Sequence, residues 1–192
     1  MWRALILALA LSACSPTPSS KTFNATDVSG ASWGSDFRLA DNDGKPRQLA
    51  DYRGSAVVLF FGYTQCPDVC PMAMSKLHEV MSQLGDEAKR VQVVFVTLDP
   101  ERDTPELLAQ YVPAFDSRFI GLHGSIEATT TLAKEFKIFY QKQPGSKPGS
   151  YSIDHTAGLY VFDPKGRLRL FVRDGEESAK ITADIRTLLA GN

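Results

Sequence analysis

The chain is poor in the residues that carry metal and redox chemistry, with three cysteines and three histidines in 192 residues. Cys14 stands apart near the start, so only Cys66 and Cys70 remain within the body of the chain. A bridge between them would close too short a loop to stabilise much, and a folded part of about 170 residues buries an adequate core unaided, which excludes a disulfide-stapled scaffold. So few sulfurs also weigh against iron–sulfur clusters, which usually take more. Neither sign of charge is in excess: 21 Lys and Arg stand against 22 Asp and Glu for a net −1, and no basic footprint for nucleic acid results. No apolar run reaches the ~20 residues of a spanning helix. No internal repeat, long charge block or second linker divides the chain, so one domain is the default.

What is present begins with Met1-Trp2-Arg3 and an apolar stretch over 4–11, the pattern of a signal peptide. Leu11-Ser12-Ala13-Cys14 resembles the lipobox of bacterial lipoproteins, which implies a leader over 1–13, lipidation of Cys14, and a membrane-anchored protein of the bacterial cell envelope with its domain on the periplasmic side. An ordinary signal with a chance cysteine is the alternative. Ser15-Pro16-Thr17-Pro18-Ser19-Ser20 is a polar, proline-rich tether, so 14–22 read as linker and 23–192 as the folded domain.

Residues 36–39 and 47–49 flank the turn-rich Asp41-Asn42-Asp43-Gly44 and predict an N-terminal β-hairpin. The continuous apolar run 56–63 predicts a strand buried on both faces. After the cysteines, Pro71 suits a helix first turn, and Met72, Leu77, Val80, Met81 and Leu84 keep roughly helical spacing up to Gly85. Residues 91–98 predict a second buried strand. Thr104-Pro105-Glu106 opens a helix with a cap, a first-turn proline and an acid, and a third helix covers about 125–136. The segment 142–150 reads as an exposed loop, 159–162 and 168–172 as strands around Asp163-Pro164-Lys165-Gly166, and 176–189 as a closing amphipathic helix. This order predicts an α/β fold on a thioredoxin-like plan, a central mixed sheet flanked by helices.

The chemistry gathers at Cys66-Pro67-Asp68-Val69-Cys70, between strand and helix, and at Asp154-His155 far downstream. Two soft sulfurs and an imidazole suit a mononuclear copper or zinc site. The same thiols could cycle through a disulfide. At i and i+4 on a helical turn their Cβ atoms lie ~5–6 Å apart, whereas a disulfide prefers about 3.5–4.5 Å, so closing the bond needs local distortion and a metal tolerates the wider bite. A helix N-terminus favours thiolate for either use. Thioredoxin-like oxidoreductases usually set a cis-proline opposite their cysteines, but Ile153-Asp154-His155-Thr156 has none. A histidine there faces the dithiol and completes a Cys₂His set with one open side, with Asp154 as a candidate to orient it. Met72 and Met74 suit Cu(I) as thioethers but read as packing residues. His78 reads as solvent-facing, and His123, in the turn Gly121-Leu122-His123-Gly124, has no expected ligand role. Asp99, Glu101, Arg102 and Asp103 form a charged loop, either solvated with a helix cap or a docking surface near the site.

Phe61-Gly62-Tyr63-Thr64-Gln65-Cys66-Pro67-Asp68-Val69-Cys70-Pro71, the segment Thr97-Leu98-Asp99-Pro100-Glu101-Arg102-Asp103-Thr104-Pro105, and Asp154-His155-Thr156-Ala157-Gly158 resemble the three signatures of the Sco/SenC family, over a match running from about Phe37 onward. The resemblance implies a thioredoxin-like fold whose CxxxC pair and distal histidine bind copper, as Cu(I) or Cu(II), at Cys66, Cys70 and His155. It implies service in assembling the copper A centre of cytochrome c oxidase, with the copper A-bearing subunit as partner and another copper chaperone or a thiol reductant as a further one. The runner-up reading is a thiol-disulfide reductase in which Cys66 attacks and Cys70 resolves. A thiol peroxidase fits poorly, because Thr64-Gln65-Cys66 has the wrong spacing and lacks the upstream proline.

Overall fold

The apolar run near residue 60 becomes the middle of the sheet. In a computed structural model, which describes residues 22–191, the strands are β1 (Thr26–Asp27), β2 (Arg38–Asp41), β3 (Pro46–Gln48), β4 (Ala56–Gly62), β5 (Val91–Thr97), β6 (Ile120–His123), β7 (Tyr140–Pro144), β8 (Tyr151–His155), β9 (Gly158–Phe162) and β10 (Leu168–Arg173). The α-helices are α1 (Val69–Leu84), α2 (Pro105–Tyr111), α3 (Ile126–Glu135) and α4 (Ser178–Leu189). Cys14, its leader and its linker lie outside the described residues. Eight strands form one sheet in the order β1-β10-β9-β4-β5-β6-β2-β3, with β4, β5 and β6 parallel and the other neighbours antiparallel. The fold is thioredoxin-like, a mixed sheet with helices on its faces.

Alternation along β4 explains the layers. Val58 and Phe60 point to one side, where α1, α2 and α4 bury Met74, Leu77, Met81, Leu108, Ile181 and Ile185. Val57, Leu59 and Phe61 point to the other, where Leu132, Ala133 and Phe136 of the α3 region close the core. Both faces are therefore dry, and the strand needs no polar residue. The caps follow the sequence: Thr104 Oγ1 accepts from the Leu107 amide behind Pro105, Ser125 Oγ accepts from the Ala128 amide, and Gly85 at φ 59° ends α1.

Three readings need correction. Gly121-Leu122-His123-Gly124 is not only a turn: residues through His123 form β6, which pairs parallel to β5 and antiparallel to β2. The segment 142–150 is a loop only after Pro144, because β7 and β8 form a two-stranded sheet of their own that pairs Tyr140 with His155 and Pro144 with Tyr151. Tyr-Gln-Lys-Gln-Pro shows no apolar alternation, because only Tyr140 of β7 packs against the core and the hairpin's buried residue, Ile153, lies on β8. β1 was also missed, being two exposed residues held on the edge of β10. Among the described residues no helix is long and apolar enough to cross a membrane.

Candidate metal centre

The carboxyl end of β4 and the first turn of α1 present the two thiols. Between them, Thr64 is fastened from below: its amide and hydroxyl donate to the Asp103 carboxylate at 3.0 and 2.6 Å, and Thr97 Oγ1 donates to the same group at 2.6 Å. The Cys66 amide donates to the Tyr63 carbonyl at 3.3 Å, and the Cys70 amide, at the start of α1, donates to Cys66 Sγ at 3.4 Å. The unpaired amides of a helix start thus turn toward a sulfur. Gly62 makes room, because a Cβ there would lie 2.9 Å from Cys70 Sγ. Cys70 is fully buried; Cys66 is half-buried and lines an open cleft with Tyr63, Pro67, Asp68, Ile153 and His155.

His155 comes to this cleft as the last residue of β8. Tyr151, Ile153 and His155 share the inner face of that strand, while Ser152 and Asp154 face outward and are exposed. Tyr63 fixes the strand's depth, its hydroxyl accepting from the Ile153 amide at 3.2 Å and its ring standing edge-on to the imidazole at 6.2 Å. His155 Nδ1 lies 3.1 Å from the Thr156 carbonyl oxygen. A carbonyl only accepts, so Nδ1 carries the proton and Nε2 keeps its lone pair, directed at Cys70 Sγ 3.8 Å away. Burial pulls the imidazole below its usual range, against the pull of that carbonyl, which keeps it in the neutral form that ligates.

The same burial pushes the Cys70 thiol far up, with the neighbouring Cys66 sulfur adding to the effect. Burial thus opposes the pull of the helix N-terminus toward thiolate at Cys70. The two cysteines are free thiols. Among the described residues no three His, Cys, Asp or Glu side chains form a finished metal cage. Cys70 and His155 already face each other, whereas Cys66 Sγ is turned to the Cys70 amide.

The remaining candidates separate. Asp154 does not orient His155, since the Thr156 carbonyl holds Nδ1. Met74 is core, but Met72 is 54% exposed, not a packing residue as expected. His78 is exposed with Nδ1 3.4 Å from Asp116, and His123 Nε2 lies 3.2 Å from the Pro100 carbonyl oxygen; neither reaches the site. The charged loop is not a solvated one: Asp99 and Asp103 are fully buried. Tyr63 and Gly62 were quoted in the sequence only as parts of a motif, and Tyr151 as nothing at all. Its placement two alternations before His155 becomes visible once 151–155 is a strand.

Comparison with known proteins follows the same lines. Residues 25–190 match the SCO1/SenC family. The Bos taurus protein "Protein SCO2 homolog, mitochondrial" is 37% identical over 157 residues, covering 81% of this chain and 59% of that protein. The chain thus spans about six tenths of the length of the curated mammalian relatives it matches. Among solved structures, apo Sco1 from Thermus thermophilus is 40% identical with a TM-score of 0.77, covering 88% of this chain and 99% of that one. Copper-bound ScoI from Bradyrhizobium japonicum is 33% identical with a TM-score of 0.74, covering 82% and 99%.

Proposed function

Since the chain belongs to the SCO1/SenC family, we propose that it binds copper through Cys66, Cys70 and His155 and delivers it to the copper A centre of cytochrome c oxidase. The observation that carries this reading is the 3.8 Å approach of His155 Nε2 to Cys70 Sγ, with Nδ1 satisfied by a carbonyl and burial keeping the ring neutral. Soft thiolates with one imidazole are a donor set that copper accepts. Relatives solved with copper bound support the choice of metal. Loading takes the proton off Cys70, whose burial otherwise holds it on. Release begins at Cys66, the ligand at the cleft mouth, by exchange with a thiolate of the acceptor, the copper A-bearing subunit. Another copper chaperone supplies the metal or a thiol reductant keeps the pair reduced, and lipidated Cys14 holds the domain on the periplasmic side of a bacterial membrane.

A second reading has its own support, in the contrast between a half-buried Cys66 and a buried Cys70 beside it. In a reductase, the Cys66 thiolate attacks a target disulfide and expels one target thiolate; Cys70 then displaces the second, leaving a Cys66–Cys70 disulfide and two reduced target thiols. The imidazole facing Cys70 favours metal transfer as the main role.

The test is an anaerobic copper titration of the reduced full chain against a competing chelator, run beside a disulfide-exchange assay. One copper per chain is expected. His155→Ala should weaken binding by about ten- to a hundredfold, the range for disturbing a metal's surroundings, while leaving exchange nearly intact, and Cys70→Ser should damage both. Equal loss of both activities in His155→Ala, or binding indifferent to it, would overturn the assignment.

A further inference from the structure

The charged loop after β5 holds the two arms of the site together. The thiol arm hangs on the end of β4, and the histidine arm is the β7–β8 hairpin, which joins no strand of the main sheet. A two-stranded hairpin is marginal by itself, so the distance from His155 to the thiols depends on what ties the hairpin down. Arg102 bridges the arms: Nη1 donates to Gln65 Oε1 at 3.1 Å, next to Cys66, and to the Tyr151 carbonyl at 2.9 Å on β8. Its guanidinium lies 3.5 Å from the centroid of the Tyr151 ring. Arg102 is itself aimed, because Nε donates to Asp99, and Asp99 also accepts from the Tyr151 hydroxyl at 2.7 Å. Asp99 is fully buried and its amide donates to Thr97 Oγ1 at 2.9 Å, so the anchor is the end of β5. Lys142 of β7 pairs with Glu101 of the same loop, an exposed contact that contributes little energy.

We infer that Arg102 is a positioning residue for the metal site: through Asp99, Gln65 and Tyr151 it sets how closely His155 approaches the dithiol. The inference rests on Cys66, Cys70 and His155 being the ligands. A planar guanidinium that donates in two directions, through Nε and Nη1, and stacks on a ring is not replaced by an ammonium, so Arg102→Lys should behave as a loss variant despite keeping the charge.

The full chain serves for the test, with Arg102→Met, Arg102→Lys, His155→Ala and the Arg102→Met/His155→Ala double variant. Copper affinity should fall about ten- to a hundredfold in Arg102→Met. Nitrogen coupling in the Cu(II) electron paramagnetic resonance spectrum should weaken while the sulfur-to-copper absorption persists. The double variant should bind no worse than His155→Ala alone, because Arg102 acts through that ligand. Additive losses, or wild-type affinity and nitrogen coupling in Arg102→Met, would overturn the proposal. The metal-free protein gives a separate readout: nuclear Overhauser contacts between the Tyr63 and His155 rings should weaken in Arg102→Met, although the Tyr63 hydroxyl still holds the Ile153 amide, and their survival at full strength would refute the positioning role whatever copper does. If the wild type binds no copper, the ligand assignment fails and these ring contacts still decide the role of Arg102. Should Arg102→Met not fold, Gln65→Ala cuts only the link to the thiol loop and should shift the same signals in the same direction by a smaller amount; no shift would count against the proposal.

Discussion

At Cys70 two requirements of the proposed copper site meet in one atom: the sulfur is sealed from water, and the proposed metal would have to reach it. Burial explains the raised thiol, and Gly62 explains how the burial is possible, since β4 and α1 approach so closely there that only hydrogen fits. Gly62→Ala should therefore cost about 1–3 kcal/mol by overpacking and displace Cys70 Sγ. Urea unfolding and copper titration should both register the loss; a destabilised protein with unchanged copper affinity would show that the close approach does not set the ligand. Cys66, Cys70 and His155 were legible in the sequence because soft donors are rare in this chain and stand in a tight spacing. Gly62 and Tyr63 were not, because their role lies in contacts made across the fold. Asp99 and Asp103 were misread, since a run of charged letters suggests solvent. The hydroxyls of Thr64, Thr97 and Tyr151, with the Thr64 amide, supply the hydrogen bonds that let both carboxylates go inside, Asp103 becoming harder to ionise through its desolvation.

The elements that were legible are those with a periodic apolar face. β4 and β5 announce themselves as unbroken apolar runs, and α1 by spacing that buries Met74, Leu77, Met81 and Leu84. The hairpin β7–β8 was not legible, because its outward residues are polar and only Ile153 on its inward side is a buried aliphatic, between Tyr151 and His155 at the cleft. α1 is also pinned away from the site, where His78 leans on Asp116 in the segment before β6. Asp116 Oδ1 accepts from the Arg118 amide at 3.0 Å and from Arg118 Nε at 2.8 Å, and chiefly through that guanidinium the carboxyl is held down at about 2. A carboxylate depressed on folding contributes stability above its unfolded value near 4 and loses it as pH falls toward 2. Asp116→Asn should lower stability by about 1 kcal/mol at pH 7, and the gap should close as urea unfolding is repeated from pH 4 down to the lowest pH at which the fold persists. A gap that stays constant with pH would place the effect in packing instead of charge.

Over the whole molecule, the parallel strands β4 and β5 place the thiol loop and the loop that ties it to the histidine hairpin at one end of the sheet. β4 ends at the thiol loop and β5 at the loop that carries Asp99, Arg102 and Asp103. Functional loops at the carboxyl ends of parallel strands are the general habit of such sheets. Helices cover both faces of the sheet, and the β7–β8 hairpin brings His155 to that end. X-ray absorption at the copper edge of the copper-loaded full chain tests this account most directly. Two sulfur scatterers and one imidazole nitrogen, with the imidazole signal gone in His155→Ala, is the predicted result. A shell of sulfur alone, or an imidazole signal that survives the substitution, would contradict it.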